Sequence, residues 1–114
     1  MCGICGAAKR NSLVDLDARV DRMNRALLHR GPDSEGRYSN GGVSMAVRRL
    51  AIIDLETGDQ PVSNEDETIW VTLNGEVYNY LELGDRLRKK GHKFRTRSDT
   101  EVIAHGYEEY GISV

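Results

Sequence analysis

The sequence is short of the residues that mark specialised classes of protein. Its 114 residues include two cysteines, two prolines, one tryptophan and one phenylalanine. No apolar run approaches the roughly 20 residues of a membrane-spanning helix. No charged stretch followed by an apolar one marks a signal peptide. With no export signal and only two cysteines, a reducing cytoplasm is the expected compartment. A lipid on Cys2 would need an upstream signal sequence, and myristoylation needs glycine at that place. Neither sign of charge dominates, with Lys+Arg 16, Asp+Glu 18 and a net charge of −2. That balance gives no support to nucleic-acid binding or to attachment at a membrane surface.

What remains is the composition of one small globular domain. Hydrophobic residues make up 39% and charged residues 30% of the chain, and the mean hydropathy is −0.55. The most informative position is Cys2, in the opening Met1-Cys2-Gly3-Ile4-Cys5-Gly6. Methionine ahead of so small a residue is normally trimmed. Trimming leaves Cys2 with a thiol and a free α-amine, which titrates at about 7.7–8.0. A nucleophile and a general base then sit on one residue.

The pattern along the chain alternates strands and helices. Residues 3–8 read as a short buried strand. Leu13, Leu16, Val20, Met23 and Leu27 recur at spacings of three and four, which is one face of a helix capped by Asp15. Gly31-Pro32 ends it, and Asn40-Gly41-Gly42 is a turn. Residues 43–47 and 50–53 read as strand, interrupted by Arg48-Arg49. Residues 54–67 read as a polar loop, and 68–73 as the clearest strand. Asn79 and Glu82 have capping-box spacing, with Tyr80, Leu83 and Leu87 following on one face. Lys89 and Lys90 fill the last turn and Gly91 closes it. A second box, Ser98 to Glu101, opens a helix with Ile103, Tyr107 and Tyr110 on one face and Gly111 after it.

Several residues could carry chemistry, and each has a plainer reading. Cys2 and Cys5 match Cys-x-x-Cys, but no helix follows to lower a thiol pKa. Cys5 reads as a small core residue. His29, His92 and His105 are scattered without ligand spacing, and His92 and His105 read as ordinary surface or helix-face residues, so no metal site is expected. Asn74-Gly75 fits a two-residue hairpin turn or, alternatively, an oxyanion hole built from the Asn74 amide and the Gly75 N–H. Arg49 is a solvated strand arginine or a guanidinium fork for a substrate carboxylate. Asp99 suits the first turn of a helix through the macrodipole, or receives a substrate ammonium group. Glu76 has the same two readings, with a solvated turn residue as the plain one. Arg30-Gly31-Pro32-Asp33 is most simply a helix exit and turn.

Five segments in order carry a resemblance. Residues 1–6, His29 to Ser34, Arg49 to Asp54, Asn74 to Asn79 and Ser98 to Val102 resemble the glutaminase domain of class II (N-terminal nucleophile) glutamine amidotransferases. Arg49-Leu50 with the Ala-Ile-Ile-Asp run, then Gly58-Asp59-Gln60-Pro61, is most similar to the glutamine-dependent asparagine synthetases. The glucosamine-phosphate synthase branch typically places Trp after this arginine. The glutaminase half of another asparagine-synthetase-like amidotransferase stays open.

The resemblance implies roles. Cys2 forms a γ-glutamyl thioester, with Asn74 and Gly75 holding the oxyanion. Arg49 binds the α-carboxylate of L-glutamine, and Glu76 and Asp99 its α-amine. The backbone of Leu50, Ala51, Ile52 and Ile53 lines the pocket, and Arg30 supports the site. It implies an α+β, four-layer αββα sandwich, here truncated, because the family's domain continues past Val114. The ATP-dependent synthetase domain, normally in the same chain, is expected to be absent. Asn40-Gly41-Gly42-Val43-Ser44 does not match its Ser-Gly-Gly-x-Asp-Ser loop. No cofactor is then expected in this chain, ATP and magnesium belonging to that second domain. A homodimer is possible under this reading. The competing expectation is a non-catalytic fragment or glutamine-binding module that needs a partner to complete its fold.

Overall fold

The computed structural model describes residues 2–10, 15–50 and 59–114. Strand β1 (Gly3–Ala8) leads to helix α1 (Leu16–Ala26), then strands β2 (Ser34–Ser39) and β3 (Val43–Arg49). Two short strands follow, β4 (Val62–Ser63) and β5 (Trp70–Val71), then helices α2 (Tyr80–Lys89) and α3 (Glu101–Tyr110). The class is α+β, as expected. No helix among the described residues is long and apolar enough to cross a membrane.

The first sheet is antiparallel in the order β1-β3-β2. Its register sets Cys5 opposite Ala46, and Gly36 opposite Val47. Helix α1 lies on one face through Leu16 and Val20, both buried, against the side of β3 that carries Ala46, while the buried Val47 points to the other face. Asp15 caps α1 as expected, accepting a hydrogen bond from the Ala18 N–H at 3.0 Å. The apolar face is narrower than the periodicity implied. Met23 is exposed, and Asn24 takes the buried position, donating to Glu35 at 3.0 Å. Leu13 lies outside the described residues. β1 has the expected bounds but alternates in burial, with Ile4 exposed, because only one face meets α1.

β3 corrects the expected interruption at Arg48-Arg49. The strand runs through both arginines because each finds partners. Arg48 pairs with Glu35 at 2.8 Å and donates to the Asn24 carbonyl at 3.3 Å. The stretch 50–53, expected as strand, lies from residue 51 onward outside the described residues. β2 has no apolar alternation and was not expected. Its ladder with β3 makes it a strand.

Two further expectations fail, the first because side chains replace backbone pairing. Of residues 68–73, only Trp70 and Val71 pair, with Ser63 and Val62 in the supposed loop. Asn64 Oδ1 takes the N–H groups of Thr68 and Ile69, both at 3.0 Å. Gln60 Oε1 takes that of Leu73 at 2.7 Å. Neither later capping box forms. The Glu101 carboxylate turns away from Ser98 and accepts the N–H groups of Arg95 and Thr96, each at 2.7 Å. Helix α3 therefore starts at Glu101, and it buries Glu101, Val102, Ala104, His105 and Gly106. The expected face is wrong here: Tyr107 is exposed. Leu87 of α2 is fully buried, and Gly91 ends that helix at φ 104°, where a side chain would be strained. Helix α3 packs on β4 and β5. A stack of Tyr38 on Trp70, at 4.3 Å between ring centroids, joins the two sheets.

Candidate active site

The ends of β1 and β3 meet at a cleft. Gly3 stands opposite Arg48, so one further step along the ladder sets Cys2 beside Arg49. The Cys2 thiol donates to the Leu50 carbonyl at 3.6 Å. Arg49 is only 6% exposed. Its Nη1 lies 3.3 Å from Asp59 Oδ1, a carboxylate on an exposed side chain. The backbone behind Arg49 is fixed by the segment first read as a helix exit. Asp33 N–H donates to the Arg49 carbonyl at 3.0 Å. A Cβ on Gly31 would come within 2.4 Å of the Arg48 and Arg49 backbone, so only glycine permits this approach.

The opposite wall comes from the segments around β5 and α3. Asp99 is 6% exposed and accepts the Val77 N–H at 2.7 Å. It thereby ties the start of α3 to the bend at Asn74-Gly75. The hairpin reading of that bend is corrected, because β5 pairs with β4 and not with residues 76–78. The cleft, about 50 Å³, is lined by Cys2, Arg49, Leu50, Gly75, Glu76 and Asp99 among the expected residues. Asn74 is exposed beside Gly75 and does not line it. Ala51, Ile52 and Ile53 lie outside the described residues. Larger hollows of about 200–250 Å³ exist elsewhere, so the chemistry of its lining singles this one out.

Gln60, Leu73 and Ser98 also line it, and motif reasoning assigned them no role. Gln60 is the joint. Its Oε1 holds the Leu73 N–H at 2.7 Å and its Nε2 donates to Thr100 Oγ1 at 3.1 Å. One buried amide thus fixes the approach to Asn74-Gly75 and the residue after Asp99. A glutamine in a polar loop carries no signal of such a role. The cleft as a whole presents a thiol, a guanidinium and two carboxylates, a set complementary to a zwitterion.

The redox reading of the two cysteines loses its geometry. Both are free thiols. Three residues of extended chain separate their Cα atoms by about 10 Å, beyond disulfide reach. Burial pushes the Cys5 thiol above its ordinary pKa, and it donates to the Val20 carbonyl at 3.9 Å. The histidines are not all scattered. The rings of His92 and His105 lie 5.2 Å apart, and His105 is fully buried.

Comparison with known proteins agrees with this geometry. The glutamine amidotransferase domain family model matches residues 1–114. The chain is 46% identical to a glutamine-hydrolysing asparagine synthetase of Bacillus subtilis over 113 residues, 96% of this chain and 18% of that protein. It is 61% identical to one of Arabidopsis thaliana over 94 residues, 82% of this chain and 16% of that protein. For one of Zea mays the identity is 48% over 119 positions, 97% of this chain and 19% of that protein. The chain spans less than a fifth of the length of these relatives. A match over its whole length, with thiol, guanidinium and carboxylates gathered in one cleft, makes this chain a member of the glutamine amidotransferase domain family.

Proposed function

We propose that this chain hydrolyses L-glutamine to glutamate and ammonia through Cys2. The observation that carries the reading is the convergence of Cys2, Arg49 and Asp99 on one cleft. With Met1 removed, the α-amine of Cys2 takes the thiol proton. The sulfur attacks the glutamine side-chain carbonyl, and the Gly75 N–H stabilises the oxyanion, with the Asn74 amide turning in from its exposed position to join it. The C–N bond breaks, the protonated amine returns its proton, and ammonia leaves. Water then cleaves the thioester. Arg49 grips the α-carboxylate, while Glu76 and Asp99 take the α-ammonium group. The backbone of residues 50–53 completes the pocket. Asp59 reaches Arg49 at 3.3 Å from a side chain that is itself exposed, so a substrate carboxylate can compete for the guanidinium.

In the longer protein, residues 1–114 would form part of a four-layer αββα glutaminase domain. The released ammonia would serve ATP-dependent asparagine synthesis from aspartate in a synthetase domain of the same cytoplasmic chain, within a homodimer. ATP and magnesium belong to that domain. Here Asn40 Oδ1 accepts the N–H groups of Gly42 and Val43 in a tight turn, and those N–H groups are not free to cradle phosphate.

The test is the glutamine dependence of glutamate release by wild type and Arg49→Lys. Lysine keeps the charge and loses the fork. Losing one charge-assisted hydrogen bond is worth ~1.5–3 kcal/mol, so KM should rise roughly 10–100-fold with a smaller change in kcat. An unchanged KM would remove Arg49 from the substrate. Glutamine binding without turnover by wild type would favour the binding-module reading.

A further inference from the structure

We propose that Glu65, His92, His105 and Glu108 form a binding site for one divalent metal ion of the zinc class. The four come from three parts of the chain. Glu65 lies between β4 and β5, His92 follows α2, and His105 and Glu108 stand one turn apart on α3. One ligand atom from each lies within 4.8 Å of all the others. The site is separate from the cleft and independent of the glutaminase reading.

The hydrogen bonding of the two imidazoles carries the inference. His105 Nε2 lies 3.3 Å from Glu101 Oε1, and His92 Nε2 lies 3.1 Å from Glu109 Oε2. An ionised carboxylate only accepts, so each Nε2 bears the hydrogen. In a neutral ring the Nδ1 is then a bare lone pair. Both Nδ1 atoms face glutamate oxygens. His105 Nδ1 lies 2.9 Å from Glu65 Oε2. His92 Nδ1 lies 3.7 Å from Glu65 Oε1 and 3.6 Å from Glu108 Oε2. Neither Nδ1 makes a hydrogen bond, and nor does Glu65 Oε2, although all three are buried. The side chain of His105 is 0% exposed and that of His92 8%. Acceptors facing acceptors in a buried space need positive charge between them.

A metal supplies that charge with the arrangement already in place. A metal-bound histidine characteristically gives its other N–H to a carboxylate, as both rings do here. The glutamates are oriented too. Asn64 Nδ2 donates to Glu108 Oε2 at 3.1 Å, and Lys93 N–H donates to Glu65 Oε1 at 3.3 Å. Two imidazole nitrogens with two carboxylates suit zinc, whereas magnesium and calcium take oxygen ligands. Tetrahedral ligands ~2.1 Å from zinc stand ~3.4 Å apart, so small side-chain rotations close the set. The ion would clamp α3 to the β4–β5 loop and to the end of α2.

The experiment uses the purified chain, stripped with chelator and desalted, then titrated with Zn²⁺ by calorimetry and thermal unfolding. The expected result is one ion per chain and a rise in Tm of roughly 10 °C at a hundredfold excess over Kd. Magnesium should give no rise. His92→Gln and Glu65→Gln, two separate variants, should each lose both zinc signals while still unfolding cooperatively without metal. If zinc leaves the heat and the Tm of wild type unchanged, the proposal fails. Zinc binding that persists undiminished in both variants would place the ion elsewhere and fails it equally.

Discussion

Cys2→Ala should lower the rate of glutamine hydrolysis at least about 10⁴-fold, the scale seen when a covalent nucleophile is removed from its enzyme. The thiol lines the cleft against the Leu50 carbonyl, and no second thiol can replace it. Cys5 is engaged with the Val20 carbonyl, and burial raises its pKa. Cys5→Ala should therefore retain most of the activity and serves as the control. Glutamine affinity should survive in Cys2→Ala, because Arg49, Glu76 and Asp99 are untouched. A glutamate-release assay with a binding titration separates these outcomes. Equal loss in both cysteine variants would argue that the strand, and not the nucleophile, had been damaged.

Glu101→Gln should cost about 3 kcal/mol of stability, a drop in Tm of roughly 15 °C. The Glu101 carboxylate is 1% exposed. Its two oxygens accept from the N–H groups of Arg95 and Thr96, the Thr96 hydroxyl and His105. Glutamine would turn an NH₂ group against donors and leave some of them unpaired. The pH dependence follows from the same contacts. Burial pushes the carboxyl up, but hydrogen bonds from His105, Thr96 and the Arg95 backbone hold it below its usual value of 4.5. A depressed folded pKa gives stability that is complete above the unfolded value and is lost as pH falls through the folded one. Wild type should therefore lose stability progressively below about pH 4.5. The gap between wild type and Glu101→Gln should narrow over that range. Denaturant melts at pH 7 and pH 3.5 measure both effects, and a gap that stays constant would detach Glu101 from the acid transition.

Site residues and fold elements were legible on different grounds. Cys2, Arg49, Gly75, Glu76 and Asp99 each had a plainer reading from residue type alone, and the resemblance of five motifs in order is what singled them out. The cleft does gather them. Asn74 was named with equal force and is exposed outside the lining. Among the elements, β1 and α1 were legible because Asp15 and the apolar spacing act locally. β2 was not, since Ser34–Ser39 becomes strand only through its ladder with β3. The strand expected at 68–73 shrank because the side chains of Asn64 and Gln60 took its backbone groups, the second from 13 residues away. The face of α3 was misread because hydrophobic periodicity does not anticipate a buried Glu101–His105 pair. Such a pair is stable only once Thr96 and Arg95 are folded around it.

The most direct measurement is covalent capture at the proposed nucleophile. The processed chain would be treated with a glutamine analogue carrying an electrophile in place of the side-chain amide, then mapped by peptide mass spectrometry. The expected result is one adduct per chain, on a Cys2 from which Met1 has been removed, with labelling suppressed by glutamine and weakened by Arg49→Lys. Labelling that falls on Cys5, ignores glutamine, or proceeds equally with Met1 still attached would contradict a Cys2-centred glutaminase site.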